Sequence, residues 1–163
     1  MSASLPLQSG VYFIQNIGTG TVIDLHNGST ADNTEIQGHA KHALSNTWVP
    51  AQLWIISLLK ASGSHGIYTI QNASGRTYMD LSQALATDGN PIIGWTPSSS
   101  KAHQQWRIIP NAKQTAFVIQ NVSTGTYVDL YGGIEANGTA ITGYSGEGPA
   151  TTNRNQLWNF IRV

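Results

Sequence analysis

Three aspartates stand inside segments that otherwise read as β-strand: Asp24 in Thr21-Val22-Ile23-Asp24-Leu25, Asp80 in Thr77–Leu81 and Asp129 in Thr126–Leu130. Aspartate is disfavoured among β-branched residues, so its return at one offset asks for a chemical reason. Two readings are open. A carboxylate can be held by backbone N–H groups at a turn, or, ionised, it can accept hydrogen bonds from two adjacent hydroxyls of a neutral ligand. A Gly follows each Asp by 14 residues, and a ring comes next: His39, Trp95 or Tyr144. A flat ring can cover the apolar face of a ligand while the carboxylate fixes hydroxyls at its rim. Trp95 and Tyr144 suit that role directly; imidazole can both stack and donate.

The elements that must position these residues also recur. Gln-x-Trp occurs at Gln52-Leu53-Trp54, Gln104-Gln105-Trp106 and Gln156-Leu157-Trp158, with the tryptophans 52 residues apart both times. Ile-Gln-Asn occurs at Ile14-Gln15-Asn16, Ile70-Gln71-Asn72 and Ile119-Gln120-Asn121, and an Asp-Leu pair begins eight residues after each Asn. Such self-similarity signals a repeat architecture whose units bury one shared core. Each unit offers four short apolar segments. They are Val11–Ile14, Thr21–Leu25, a strand at Ile36 and Leu53–Ile56 in the first. In the second they are Ile67–Ile70, Thr77–Leu81, Pro91–Ile93 and Trp106–Ile109, and in the third Phe117–Ile119, Thr126–Leu130, Ala140–Ile141 and Trp158–Ile161. No helical period occurs, so the chain is all-β: three pseudo-symmetric four-stranded repeats, over about 10–59, 66–109 and 115–163, in one domain spanning 1–163. Lys60–His65 and Pro110–Gln114 read as linkers. Asn27-Gly28 reads as a turn tolerant of positive φ. The Gln-x-Trp tryptophans read as core, and Gln15, Gln71 and Gln120 as struts to equivalent turns.

Composition narrows the partners. Charged residues make up 10% of the chain, with eight basic and eight acidic side chains, against about 25% in average proteins. That leaves no electrostatic footprint for nucleic acid and favours neutral, hydroxyl-rich ligands. There is no cysteine and no apolar run of membrane-spanning length. No nucleophile elbow, phosphate loop or zinc motif occurs. His39 and His42 are three apart, but no predicted element aims both at a third ligand, and they read as loop residues. No catalytic residue, cofactor or metal is expected.

Three Gln-x-Trp units in register with three Asp-Leu pairs and three Gly-aromatic positions resemble the ricin-B-like (R-type) lectins. Tyr127-Val128-Asp129-Leu130 and Asn153-Arg154-Asn155-Gln156-Leu157-Trp158 are similar to phrases of the mushroom fruiting-body members. The resemblance runs from Gly10 to Val163 and implies a β-trefoil, a six-stranded barrel closed by a hairpin cap. It implies that the Asp accepts sugar hydroxyls, that the ring covers the C–H face of galactose, and that a Gly four residues after the Asp lets sugar approach the backbone. An Asn or His just before the Gln of Gln-x-Trp completes the site. On that basis the first unit contributes Asp24, Gly28 and His39, with Asn46 and Trp48 from its longer loop in place of Ala51. The third contributes Asp129, Gly133, Tyr144, Asn155 and Gln156. The second contributes Asp80, Trp95, His103 and Gln104, and ranks last because it has Ala84 for Gly and the shortest loop (104 − 95 = 9 residues). The first ranks marginally ahead of the third.

The function so implied is metal-independent, multivalent and defensive binding of galactose- or N-acetylgalactosamine-terminated glycans on glycoproteins or glycolipids. Homodimerisation is a second route to crosslinking, and membrane insertion is not expected. Met1-Ser2-Ala3-Ser4-Leu5-Pro6 has neither a basic end nor an apolar run, so a cytoplasmic location is expected. Two other readings stay open: a β-trefoil protease inhibitor presenting an exposed Arg76 or Arg154, and an interaction scaffold that has lost sugar binding, as His39, Ala84 and Ala51 would allow.

Overall fold

The computed structural model describes residues 5–163; residues 1–4, on which the reading of the amino terminus partly rests, lie outside the described residues. Twelve strands form among the described residues: β1 (Gly10–Asn16), β2 (Val22–Leu25), β3 (Thr34–His39), β4 (Trp54–Ser62), β5 (His65–Asn72), β6 (Tyr78–Leu81), β7 (Asn90–Trp95), β8 (Trp106–Pro110), β9 (Phe117–Asn121), β10 (Tyr127–Leu130), β11 (Thr139–Tyr144) and β12 (Trp158–Arg162). Six of them close a ring in the order β1, β4, β5, β8, β9, β12 and back to β1, all antiparallel. The other six form three hairpins, β2–β3, β6–β7 and β10–β11, which pair with one another through β3, β7 and β11. This is a β-trefoil, a barrel with a three-hairpin cap. Closure removes the sheet edges that a lone unit would expose. No described helix is long and apolar enough to cross a membrane.

The core is built from triplets of equivalent residues. Trp54, Trp106 and Trp158 are buried at the centre with Ile14, Ile70 and Ile119, and with Leu25, Leu81 and Leu130. A buried indole N–H needs an acceptor, and each finds the same one. Trp54, Trp106 and Trp158 donate from Nε1 to the carbonyls of Ile23, Met79 and Val128 at 2.9, 3.0 and 3.0 Å. Those carbonyls precede Asp24, Asp80 and Asp129, so the core fixes the strand that carries each carboxylate. Gln15, Gln71 and Gln120 donate to the carbonyls of Gly20, Arg76 and Gly125, as turn struts.

Units are tied around the ring by ties that repeat. The buried Asn of Ile-Gln-Asn donates to the previous unit just ahead of its Gln-x-Trp: Asn72 to the carbonyl of Ala51, Asn121 to that of His103, and Asn16 to that of Arg154. The glycine before each ring is explained by packing. A Cβ at Gly38 would come within 2.8 Å of Leu130 Cδ1, and one at Gly143 within 2.7 Å of Leu81 Cδ1. At Gly94 it would meet Leu25 Cδ1 at 3.0 Å. The leucine of each Asp-Leu pair therefore presses on the next unit where only glycine leaves room.

The linkers differ from expectation. Lys60–Ser62 continue β4, and Ser62 pairs with His65 across a tight turn carrying Gly63 at φ 61. This hairpin runs on beyond the barrel into solvent, so its outer residues are polar without ceasing to be strand. Pro110 ends β8, and Asn111 organises the next turn by accepting from the N–H groups of Thr115 and Ala116.

Candidate functional site

Three clefts open at equivalent places on the hairpin cap. The first, of about 240 Å³, is lined by Asp24, Asn27, Gln37, His39, His42, Trp48 and Ala51. The second, of about 380 Å³, has Asp80, Ser82, Gln83, Trp95, Lys101 and His103 among its walls. The third, also about 380 Å³, is lined by Asp129, Tyr131, Gly132, Tyr144, Asn153 and Asn155. Each unit therefore brings its Asp and its ring to one cleft. Register explains the pairing: β2 and β3 lie side by side so that Asp24 faces Gln37 and Val22 faces His39, and the other hairpins repeat this.

A buried glutamine stands behind each carboxylate. Gln52, Gln104 and Gln156 donate from Nε2 to Oδ2 of Asp24, Asp80 and Asp129 at 3.1, 2.8 and 3.0 Å. The same amide donates to the carbonyl just after each ring, that of Ala40, Thr96 or Ser145. Gln104 and Gln156 were expected to touch sugar. They are 0% and 1% exposed, and both amide hydrogens are engaged. Their place is behind the Asp, as positioning residues.

The residue after each ring is gripped from the preceding unit. Asp32 accepts from the N–H of Thr96, Asp88 from that of Ser145 and Asn137 from that of Ala40. These three clamps sit eight residues after Asp24, Asp80 and Asp129, an offset that repeats in the sequence. The backbone beside each cleft is thus held from across a unit boundary.

The glycine four residues after the Asp also has a different role from the one expected. Gly28 and Gly133 adopt φ 56 and 62, and a Cβ there would run into Ser74 Oγ and Asn155 Oδ1 respectively. Neither lines a cleft. Ala84 takes the same turn at φ 54, at a cost of about 1–2 kcal/mol for a left-handed non-glycine residue. The second cleft therefore keeps its backbone turn without glycine, which removes one of the two grounds for ranking it last and leaves its shorter loop as the other. Asn46 does not line the first cleft; its Oδ1 accepts from the Trp48 N–H and caps a turn.

The carboxylates differ in what else holds them. Gln37 donates to the other oxygen of Asp24, Oδ1, at 3.1 Å. Ile93 and Thr142 occupy its place opposite Asp80 and Asp129, and no side chain among the described residues donates to Oδ1 of either. Burial pushes the Asp80 carboxyl above its ordinary value, against the opposing pull of Gln104, His103 and Lys101. His103 Nε2 lies 3.4 Å from Asp80 Oδ2. Burial likewise raises Asp129, the Gln156 hydrogen bond opposing it and Asp88 adding to it.

The structure also brings together what the sequence left apart. Asp24, His39 and His42 place ligand atoms within 4.8 Å of one another, so the two histidines do converge on a third group. Neither arginine offered for protease inhibition stands on an extended loop. Arg76 sits at φ 63 in the tight turn after Asn72, and Arg154 donates to the Ile17 carbonyl.

A family model described as ricin-type β-trefoil lectin domain-like matches residues 4–95 and, overlapping, 50–144. The structure is similar to the Rhizoctonia solani agglutinin, at 25% identity and a TM-score of 0.79, over 99% of this chain and 100% of that one. It is similar to the Macrolepiota procera ricin B-like lectin solved in complex with lactose, at 25% identity and 0.72, over 96% and 99%. A designed threefold-symmetric protein, ThreeFoil, shares the fold at 20% identity and 0.81, over 94% and 99%. A search of the curated proteins finds no match.

Proposed function

This chain belongs to the ricin-type β-trefoil lectin domain-like family, which makes it a carbohydrate-binding protein, and we propose that its ligands are glycans ending in galactose or N-acetylgalactosamine. One observation carries the reading: in the second and third clefts a ring stands beside a carboxylate with one oxygen free of side-chain donors. An axial 4-hydroxyl gathers the C–H groups of galactose on one face, which suits Trp95 or Tyr144. The adjacent hydroxyls then reach Asp80 or Asp129, whose ionised oxygens only accept. That the similar Macrolepiota procera lectin was solved with lactose supports a galactose end. We place the second and third clefts ahead of the first, which is smaller and whose Asp24 already accepts on both oxygens.

Titration with a methyl galactoside and the matching glucoside tests this, since the two differ only at the 4-hydroxyl. The galactoside is expected to bind in the millimolar to micromolar range typical of a small ligand in an open cleft, shifting the half-buried Trp95 indole resonance. The glucoside is expected to bind at least tenfold more weakly; equal affinities would overturn the galactose reading.

Binding should also respond to acid. Asp80 and Asp129 have folded-state carboxyls raised by burial, so they protonate at a higher pH than a free Asp, whose value is about 3.9. Protonation removes the anionic acceptor. Affinity is therefore expected to fall as pH drops, starting above the range of an ordinary aspartate. A calorimetric series from neutral pH downward checks this, and a midpoint at or below the ordinary value contradicts it.

A further inference from the structure

We propose that the first cleft is a metal site, in which Asp24, His39 and His42 bind a borderline divalent cation of the Zn2+ type. Two imidazoles and one carboxylate make a donor set that such ions prefer, with a fourth position left to water. The three ligand atoms already lie within 4.8 Å of one another, and no other such trio occurs among the described residues. Tetrahedral bonds of roughly 2.0–2.1 Å place ligand atoms about 3.3 Å apart. The trio must therefore close by up to about 1.5 Å, within reach of side-chain rotation at the half-buried histidines.

What sets this cleft apart is how its donors are held. Gln52 donates to Asp24 Oδ2 and to the Ala40 carbonyl, and its Oε1 accepts from the N–H of His42. One buried amide thus anchors the carboxylate, the backbone after His39 and the backbone of His42. Gln37 steadies the second carboxylate oxygen, and each oxygen keeps a lone pair for a cation. His39 Nδ1 lies 2.8 Å from the Ala40 carbonyl and 3.4 Å from Gln52 Nε2. Both hydrogens of that amide are already used, so Nδ1 is the donor to Ala40, which leaves Nε2 as the nitrogen available to a cation. A ring nitrogen tied to a backbone carbonyl is the arrangement that orients a metal-binding histidine. Lys41, with Nζ 4.3 Å from the Phe13 ring centroid, pins the loop between the two histidines. In the second unit the residue bonded in this way, to Gln104, is Ser98, which carries no ligating ring.

The site has a consequence for the cleft, resting on the sugar reading above. An ion on Asp24 and His39 takes the carboxylate and the ring that a sugar would need, so cation and galactoside exclude one another there and nowhere else. The first cleft is then a cation-occupied position in a lectin whose other two clefts bind glycan.

Calorimetric titration of the full chain with Zn2+ alone, after removal of trace metal by chelator, tests the site. One ion per chain is expected. His39→Gln and His42→Gln should each weaken binding at least about tenfold, since each removes one of the three protein ligands, whereas His65→Gln should leave it unchanged. Thermal melts of the free variants, matched to the parent, separate lost ligation from lost folding. Co2+ gives a second readout through visible bands that shift when imidazole enters its shell, and these should vanish in both ligand variants. Absence of Zn2+ uptake, or uptake undiminished in both ligand variants, overturns the proposal. Zn2+ binding without any galactoside binding would sink the sugar reading and leave the metal site standing.

Discussion

A chain carrying Asp80→Asn and Asp129→Asn together is expected to lose galactoside binding in the second and third clefts while remaining at least as stable as the parent. Each replacement turns a charge-assisted acceptor into a neutral amide. Such bonds contribute about 1.5–3 kcal/mol, so each cleft should weaken tenfold or more. Stability should move the other way. Burial raises both carboxyls, so the folded chain holds their protons more tightly than the unfolded chain does. The stability this confers is complete below the ordinary aspartate value and is lost as pH rises through the raised folded values. At neutral pH the two charges are therefore a cost that Asn removes, while its carbonyl oxygen can still accept from Gln104 or Gln156. Calorimetry with a galactoside, paired with thermal melts, reads both halves. Undiminished binding would refute the assignment of these clefts, and a large drop in melting temperature would show the carboxylates to be structural.

Trp106→Ala is expected to lower the stability of the fold by about 3–5 kcal/mol, the range for deleting a large buried aromatic. That is a large share of the roughly 5–15 kcal/mol that holds a domain together. The ring is fully buried at the centre of the core, and its N–H is a donor to the Met79 carbonyl at 3.0 Å. Trp106→Phe separates the two contributions. It restores most of the volume but orphans a buried carbonyl, for about 1–3 kcal/mol. Because that carbonyl adjoins Asp80, the Phe variant should also loosen the second cleft more than the third. Urea unfolding gives the stability difference, and a midpoint unchanged in Trp106→Ala would contradict this account of the core.

The sequence by itself determined the threefold architecture, because three units that bury one face against a common centre must place the same residue types at the same offsets. The tryptophans, the Asp-Leu pairs and the Gly-ring pairs were legible for that reason. So was the nearness of Asp and ring, since register within one hairpin brings 24 beside 37 and 22 beside 39. Strand limits were less legible at the β4–β5 hairpin, where solvent on both faces erases the alternation that marks a strand.

Only the tertiary structure decided which polar atoms are engaged and which are free. Gln104 and Gln156 look like ligand-binding amides in a one-dimensional reading, yet both are buried behind their aspartates. Ala84 looks like a broken site, but the backbone accepts it at φ 54 because the surrounding turn is fixed by its neighbours. The Gln37 bond to Asp24, the Asn137 grip on Ala40 and the convergence of His42 on His39 were equally hidden. The physical reason is common to all. Periodicity records which positions are equivalent, whereas hydrogen-bond satisfaction is settled between groups as far apart as Ala40 and Asn137, 97 residues along the chain, and only closure of the three units brings them within reach.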